Sequence, residues 1–176
     1  MNIIIRQETE KDYNLTETVV EKAFKNEESS DHKEQFLVAT LRKSSAFIPE
    51  LSLVAERNKK IVGYLMLTKL LIENGGKNYE SLALAPVSVL PDYQNQGIGS
   101  QLILYGLKRA KEMGFKSVIV LGHANYYPRF GFRPASKWGI KSPFDVPDAS
   151  FMALELKSGS LDDVAGTVAY SKEFFE

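Results

Sequence analysis

Cysteine is absent from the 176 residues, so disulfides, thiolate nucleophiles and thiolate metal sites are excluded, and the composition fits a reducing compartment. An excess of either charge is absent too. With 22 Lys and Arg against 22 Asp and Glu there is no global field to draw the chain to nucleic acid or an anionic membrane, so any anion site has to be local. Histidine is scarce: His32 and His123 have no companions at ligand spacing, and no metal site is expected. Long apolar runs are missing as well. The start, MNIIIRQETEKDYN, becomes charged too soon for a signal segment or a membrane span, and a cytoplasmic location is expected. No repeat, low-complexity tract or block of like charge divides the chain, and its 44% hydrophobic content suffices for a full core. A single domain over residues 1–176 is the expectation.

What is present reads as alternating elements. Ile3 to Arg6 predicts a first strand; Thr9 with Asp12 three residues on predicts a capped helix running to about Phe24, and a second helix fits residues 31–44. LSLVAER and IVGYLMLTKLLI, separated by Asn58-Lys59-Lys60, have the pattern of a hairpin. After Asn74-Gly75-Gly76, LALAPVSVL is apolar nearly throughout, which predicts a strand buried on both faces and interrupted by Pro86. Ile98, Leu102, Tyr105, Gly106, Ala110 and Met113 recur at helical steps, Gly114 suits a left-handed C-terminal cap, and SVIVL returns as a strand. The order strand, helix, strand implies a parallel crossover within an α/β or mixed fold.

The junction before that helix carries the chemistry. A helix starting near Gly97 leaves its first amides unpaired and turns its positive end toward the preceding turn. Glycines at 97 and 99 clear the side chains that would keep an anion away from the backbone. The dipole contributes about 0.3–1 kcal/mol at an exposed end, and each amide hydrogen bond to a charged oxygen about 1.5–3 kcal/mol. Neither the P-loop nor the dinucleotide loop fits: Ser100 and Gln101 follow Gly99 where the first needs Lys-Ser/Thr, and Leu102 stands where the second needs glycine. On spacing alone, a plain turn and an anion site remain equally open.

Gln94-Asn95-Gln96-Gly97-Ile98-Gly99 resembles the [QR]-x-x-G-x-[GA] loop of the GNAT N-acetyltransferases, and follows an apolar strand ending Val87-Ser88-Val89 as it does there. Tyr126-Tyr127-Pro128-Arg129-Phe130-Gly131-Phe132 resembles the segment after that family's fifth strand. SPFDVPDASFMALEL and GTVAYSKEFF look like a bacterial subgroup with an extra C-terminal strand, here about residues 160–176, and the resemblance covers nearly the whole chain.

The resemblance implies a GNAT fold: a mostly antiparallel twisted sheet of about seven strands with flanking helices, splayed between strands 4 and 5. It implies that acetyl-CoA lays its pantetheine arm along Val87, Ser88 and Val89 and its pyrophosphate on amides from Gln96 to Ser100, with Gln94, Asn95, Gly97, Ile98 and Gly99 completing the loop. Tyr127 is implied as the acid that protonates the departing thiolate, with Tyr126 as its neighbouring substitute and packing as the competing role. No carboxylate occupies Leu82-Ala83-Leu84-Ala85, where some relatives keep a base; Glu80 lies just upstream, and His123 at the end of the fifth strand is either the base or a surface or capping residue. Asn125 would either cap the short helix bearing Tyr127 or touch CoA.

The implied activity is acetyl transfer to a primary amine of a small molecule or peptide by direct attack, in a monomer or homodimer with no nucleic-acid or membrane partner. The alternative is a non-catalytic acyl-CoA sensor. Acceptor choice is expected from residues 27–50 and 136–150, where Glu27, Glu28 and Asp31 either attract a cation or sit as a solvated helix end. Trp138, Phe144 and Phe151 either line the acceptor site or pack in the core.

Overall fold

The computed structural model describes residues 2–176. Nine strands and three α-helices follow in the order β1 Ile3–Gln7, α1 Tyr13–Phe24, α2 Glu34–Leu41, β2 Ser52–Arg57, β3 Lys60–Asn74, β4 Lys77–Val89, α3 Ile98–Glu112, β5 Ser117–Leu121, β6 Arg133–Pro134, β7 Ile140–Lys141, β8 Phe151–Glu155 and β9 Gly166–Ala169. The fold is the expected mixed α/β class, with mostly antiparallel pairing and one parallel β4–β5 ladder. The strand count exceeds the expected seven because β6 and β7 are two-residue pairings. No helix among the described residues is long and apolar enough to cross a membrane.

The chain gathers into two compact units. The first comprises residues through Thr68, Ala85–Arg109 and Glu173–Glu176. In it β1 pairs antiparallel with β2, and β2 with β3 through a turn in which Asn58 and Lys59 take φ of 52° and 65°. Such left-handed turns match the twist of the strands they join, so the two runs close as a tight hairpin. Leu53, Val54, Leu65, Met66 and Leu67 are fully buried. Helix α3 enters over β3 where Gly63 leaves room: a Cβ there would lie 3.0 Å from Leu102 Cδ1 and 3.3 Å from Ile98 Cγ2.

Helix starts in this unit differ from the expected ones for local reasons. Thr9 and Asp12 do form the reciprocal pair, with the Thr9 N–H donating to Asp12 Oδ2 at 2.8 Å, but they enclose a 3₁₀ turn, Glu10–Asp12, and α1 proper begins at Tyr13. α2 begins at Glu34 rather than 31 because Asp31 Oδ1 accepts the Lys33 N–H at 2.9 Å and Ser30 Oγ the His32 N–H at 2.8 Å. These local bonds compete with the helix. Asp31 is thereby a helix-end residue. On α3, Tyr105 and Met113 are 36% and 39% exposed, while Ile103 and Leu107 take the buried positions beside Leu102, Gly106 and Ala110. Tyr105 falls at the edge of the buried face on the helical projection, and Met113 follows the last residue of α3, Glu112.

Arg6 holds Asp12 through two bonds, Nη1 to Oδ2 at 2.8 Å and Nη2 to Oδ1 at 3.0 Å, and also reaches Glu56 at 3.1 Å. The Arg6 hydrogen bond, opposed by burial and aided by Thr9, lowers Asp12 to about 2 from 3.8. A depressed carboxylate contributes stability that is full above its unfolded value and lost as pH falls through its folded one. Arg6→Ala should therefore cost about 1–2 kcal/mol at pH 7, after allowance for the partly exposed guanidinium. The deficit in urea unfolding should shrink between about pH 4 and 2 as the wild-type Asp12 protonates; a deficit unchanged across that range would contradict the assignment.

The second unit, Lys69–Leu84 with Ala110–Lys172, is built on the parallel pairs Leu82–Val118 and Ala83–Ile119. β5 pairs antiparallel with β8, which also carries β6, and β9 pairs with β3 at Leu71–Ala169 and with β7. Ser81 Oγ and Ser117 Oγ, 2.7 Å apart and buried, hold β4 and β5 together one position before the ladder. β4 is buried on both faces only from Ser81 to Leu84 and alternates from Ala85 to Val89. The end of α3 closes as expected: Gly114 takes φ 92°, its N–H donates to Lys111 O at 3.0 Å, and Phe115 N–H to Ala110 O at 3.1 Å. That bond pair is the Schellman motif.

Candidate active site

In the first unit the site residues surround the turn from β4 to α3. Leu90 N–H donates to Val62 O at 2.8 Å, and a Cβ on Gly63 would meet Ser88 O at 3.2 Å, so residues 88 and 90 turn their main-chain groups toward β3. By strand alternation Val87 and Val89 present theirs to the other edge. The Ser88 side chain is 2% exposed, and its Oγ has no hydrogen-bond partner.

After the 3₁₀ turn Pro91–Tyr93 the chain reverses at Asn95 and Gly97, with φ of 62° and 83°. A Cβ on Gly97 would meet nothing within 4 Å, so glycine is required there by backbone conformation and not by crowding. Gln94 does not point outward: its Nε2 donates to Val89 O at 3.0 Å and folds the turn onto the strand end. Gln96 is likewise engaged, accepting from Arg57 Nη1 at 3.2 Å and donating to Asp92 O at 3.4 Å. The helix starts at Ile98, one residue later than expected, and Gln101 N–H donates to Gly97 O at 3.0 Å. The amides of Ile98 and Gly99 precede that first helical bond and lie at the positive end of the dipole. Gln94, Asn95, Gln96 and Gly97 are exposed, Gly99 and Ser100 are half-buried, and Ile98 is anchored in the core at 1% exposure.

In the second unit the candidates surround the turn after β5. Gly122 N–H donates to Ser150 O at 2.9 Å, and the main-chain oxygen of His123 accepts from Tyr126 and Tyr127 at 3.1 and 3.4 Å. The 3₁₀ turn Tyr127–Phe130 follows and ends at Gly131, φ 101°. The Tyr127 ring packs edge-on against Tyr126 and Phe132, with centroids at 5.1 and 5.8 Å, and lies on Gly122 so closely that a Cβ there would be 3.0 Å from Cδ2 and nearer still to Cε2. Burial, with a smaller contribution from Tyr126, pushes the Tyr127 hydroxyl up to about 12. The ring is fixed by aromatics, while the hydroxyl makes no hydrogen bond to any described residue. A phenol so placed stays protonated throughout the neutral range.

The remaining candidates are less constrained. His123 and Asn125 are exposed, and the N-cap of the turn falls on Tyr126 rather than Asn125, with no side-chain cap bond. Tyr126 carries Arg129 above its ring at 4.5 Å. Glu80 lines a cavity of about 480 Å³ with Asn78, Tyr79, Lys116 and Ser117, at the opposite end of β4 from Val89. Phe151 is core, and Phe144 stacks on Tyr170 at 5.6 Å, so those aromatics do not share one surface. Among the described residues no group of three His, Asp or Glu is arranged to hold a metal ion. Sequence reasoning did not single out Gly122, on which the Tyr127 ring lies, or Arg57, which bonds Gln96. A glycine directly after a strand was the available signal of close approach for the first.

The acetyltransferase (GNAT) domain family matches residues 4–135. Among similar proteins, the uncharacterized N-acetyltransferase YjhQ of Escherichia coli K12 is 39% identical over 66% of this chain, and the match spans 65% of that relative's length. A GNAT family acetyltransferase from Brucella melitensis, solved in complex with acetyl-CoA, is 34% identical, covers 98% of each chain and superposes with a TM-score of 0.81. The GNAT family N-acetyltransferase YhbS of E. coli, solved with CoA, is 26% identical over 100% of this chain and 93% of its own, with a TM-score of 0.87. On the extent of these matches, the chain belongs to the GNAT acetyltransferase family.

Proposed function

We propose that the protein transfers the acetyl group of acetyl-CoA to a primary amine of a small molecule or peptide by direct attack. The observation that carries this reading is the turn before α3, where Gly97 at φ 83° opens the backbone beside the amides of Ile98 and Gly99. Those amides, with main chain from Gln96 to Ser100, hold the diphosphate. The outward main-chain groups of Val87 and the Val89 N–H pair with the pantetheine amides, since Val89 O is already bonded to Gln94. Ser88 supplies its place in the strand, and Asn95 the second left-handed residue of the turn. The solved complexes of two relatives with acetyl-CoA and CoA support the ligand assignment.

The chemistry needs two proton movements. An alkyl amine with pKa about 10.4 must lose a proton before it attacks, and His123 at the exposed end of β5 accepts it, directly or through water. Attack on the thioester carbon gives a tetrahedral oxyanion; its collapse breaks the C–S bond and expels CoA thiolate, which takes the proton of the Tyr127 hydroxyl. With no cysteine in the chain, no thioester-linked acyl-enzyme intervenes. Asn125, exposed and outside the cap, is assigned to CoA contact. The experiment is a thiol-release screen with acetyl-CoA against amines, amino acids, polyamines and peptides. Acceptor-dependent release supports the reading. Binding of CoA without turnover of any acceptor would favour a sensor, and absence of CoA binding would end both.

A further inference from the structure

The hairpin between β2 and β3 brings two cations to the diphosphate turn. Arg57 and Lys60 are directly opposite each other across the ladder, as the last residue of β2 and the first of β3. Opposed residues share a face, and like charges so placed repel. They nevertheless converge on one ring: the Arg57 guanidinium lies 5.6 Å and Lys60 Nζ 5.5 Å from the centroid of Tyr93. Tyr93 is the residue immediately before Gln94, and Arg57 also bonds Gln96 within the turn. Neither cation has an acidic partner among the described residues. Glu56 is engaged by Arg6, and Asp92, in the same 3₁₀ turn, forms an ion pair with neither.

We propose that Arg57 and Lys60, gathered on Tyr93 beside the Gln94–Gly99 turn, form a second anion site for a phosphate monoester, which is the 3′-phosphate of CoA. This rests on the proposed function and adds a specificity to it. A monoester dianion relieves the repulsion between the two cations. Arg57 offers it a planar set of donors and Lys60 a mobile point charge.

Calorimetric titration of the whole protein with CoA and with dephospho-CoA, which lacks only that phosphate, tests the proposal. Wild type should bind CoA about tenfold tighter. Lys60→Gln, which makes no bond to the turn, should weaken CoA several-fold and leave dephospho-CoA unchanged. Arg57→Gln/Lys60→Gln should bring the two affinities together, with both weakened through the lost Gln96 bond. Equal wild-type affinities, or a preference that survives in the double variant, would overturn this proposal while leaving the diphosphate assignment standing. Inorganic phosphate, titrated alone, separates the sources: tight binding of it, with no preference between the two cofactors, would also overturn the assignment. Failure of wild type to bind either nucleotide would instead remove the proposed function, and this inference with it.

Discussion

Tyr127→Phe is expected to lower kcat by about 10²–10³-fold while leaving CoA affinity within about twofold, because the substitution deletes only the proton that the leaving thiolate needs. The ring contacts with Tyr126 and Phe132 are kept by phenylalanine, so stability should hardly change. Gly122→Ala reaches the same proton donor from below: its Cβ would overlap the Tyr127 ring, which has to move off Gly122. A displacement of that size should also cost at least tenfold in kcat, since near-attack geometry tolerates little error. The pH dependence carries a sign. The raised hydroxyl, at about 12, keeps its proton as pH rises past the ordinary phenol value of 10. Wild-type kcat/KM should therefore climb as the acceptor amine deprotonates and show no descending limb from Tyr127 below about pH 10. A Tyr127→Phe protein with wild-type turnover would remove the residue from the mechanism, and a descending limb near neutrality would contradict its protonation state.

The largest loss of stability is expected at Arg42. Its side chain is 5% exposed, and that of its partner Glu8 1%. Arg42 Nη2 and Nε donate to Glu8 at 2.6 and 3.3 Å, Nη1 donates to Glu17 at 2.7 Å, and the guanidinium lies 4.0 Å over the Tyr13 ring. Ser52 donates to Glu8 Oε1 at 2.7 Å; its one proton being spent there, Tyr64 donates to Ser52 in their 2.6 Å contact. Burial first, and then the charge of Glu8, hold the Tyr64 hydroxyl well above the usual phenol range, so it remains a donor. Arg42→Met strands Glu8 as a buried, uncompensated charge and should destabilise by about 3–5 kcal/mol. At 2–4 °C per kcal/mol for a chain of this size, the melting temperature should fall by roughly 10 °C. Adding Glu8→Gln, which removes the stranded charge and keeps an acceptor for Ser52, should recover part of the loss. If the double variant is no more stable than Arg42→Met, the charge is not the cause.

Much of the local geometry around the candidate site was legible because it depends on backbone requirements. Gly97 at a left-handed angle, Gly114 in its Schellman cap and the tight Asn58–Lys59 hairpin turn are each decided within a few residues of chain. The amide end of α3 follows from where the helix starts. Less legible were features that require two distant segments to meet. Tyr127 could be named from its motif, but the support of its ring by Gly122 and Phe132 depends on how the turn folds back on β5. The buried Glu8–Arg42 pair joins residues 34 apart, and no local pattern in the chain signals it. The side chains of Gln94 and Gln96 are tied to Val89 and Arg57, partners that the loop motif alone does not indicate.

The sequence by itself determined the class of fold, the glycine turn before α3 and the caps at its helix ends, because periodicity, glycine conformation and helix ends are properties of neighbouring residues. Only the tertiary structure decided which polar groups are spent on the protein and which stay open to a ligand. It decided as well that two cations of one hairpin face a single tyrosine without a counter-charge. Hydrogen bonding and charge compensation are settled by distances through space, and a linear order of residues does not contain those distances.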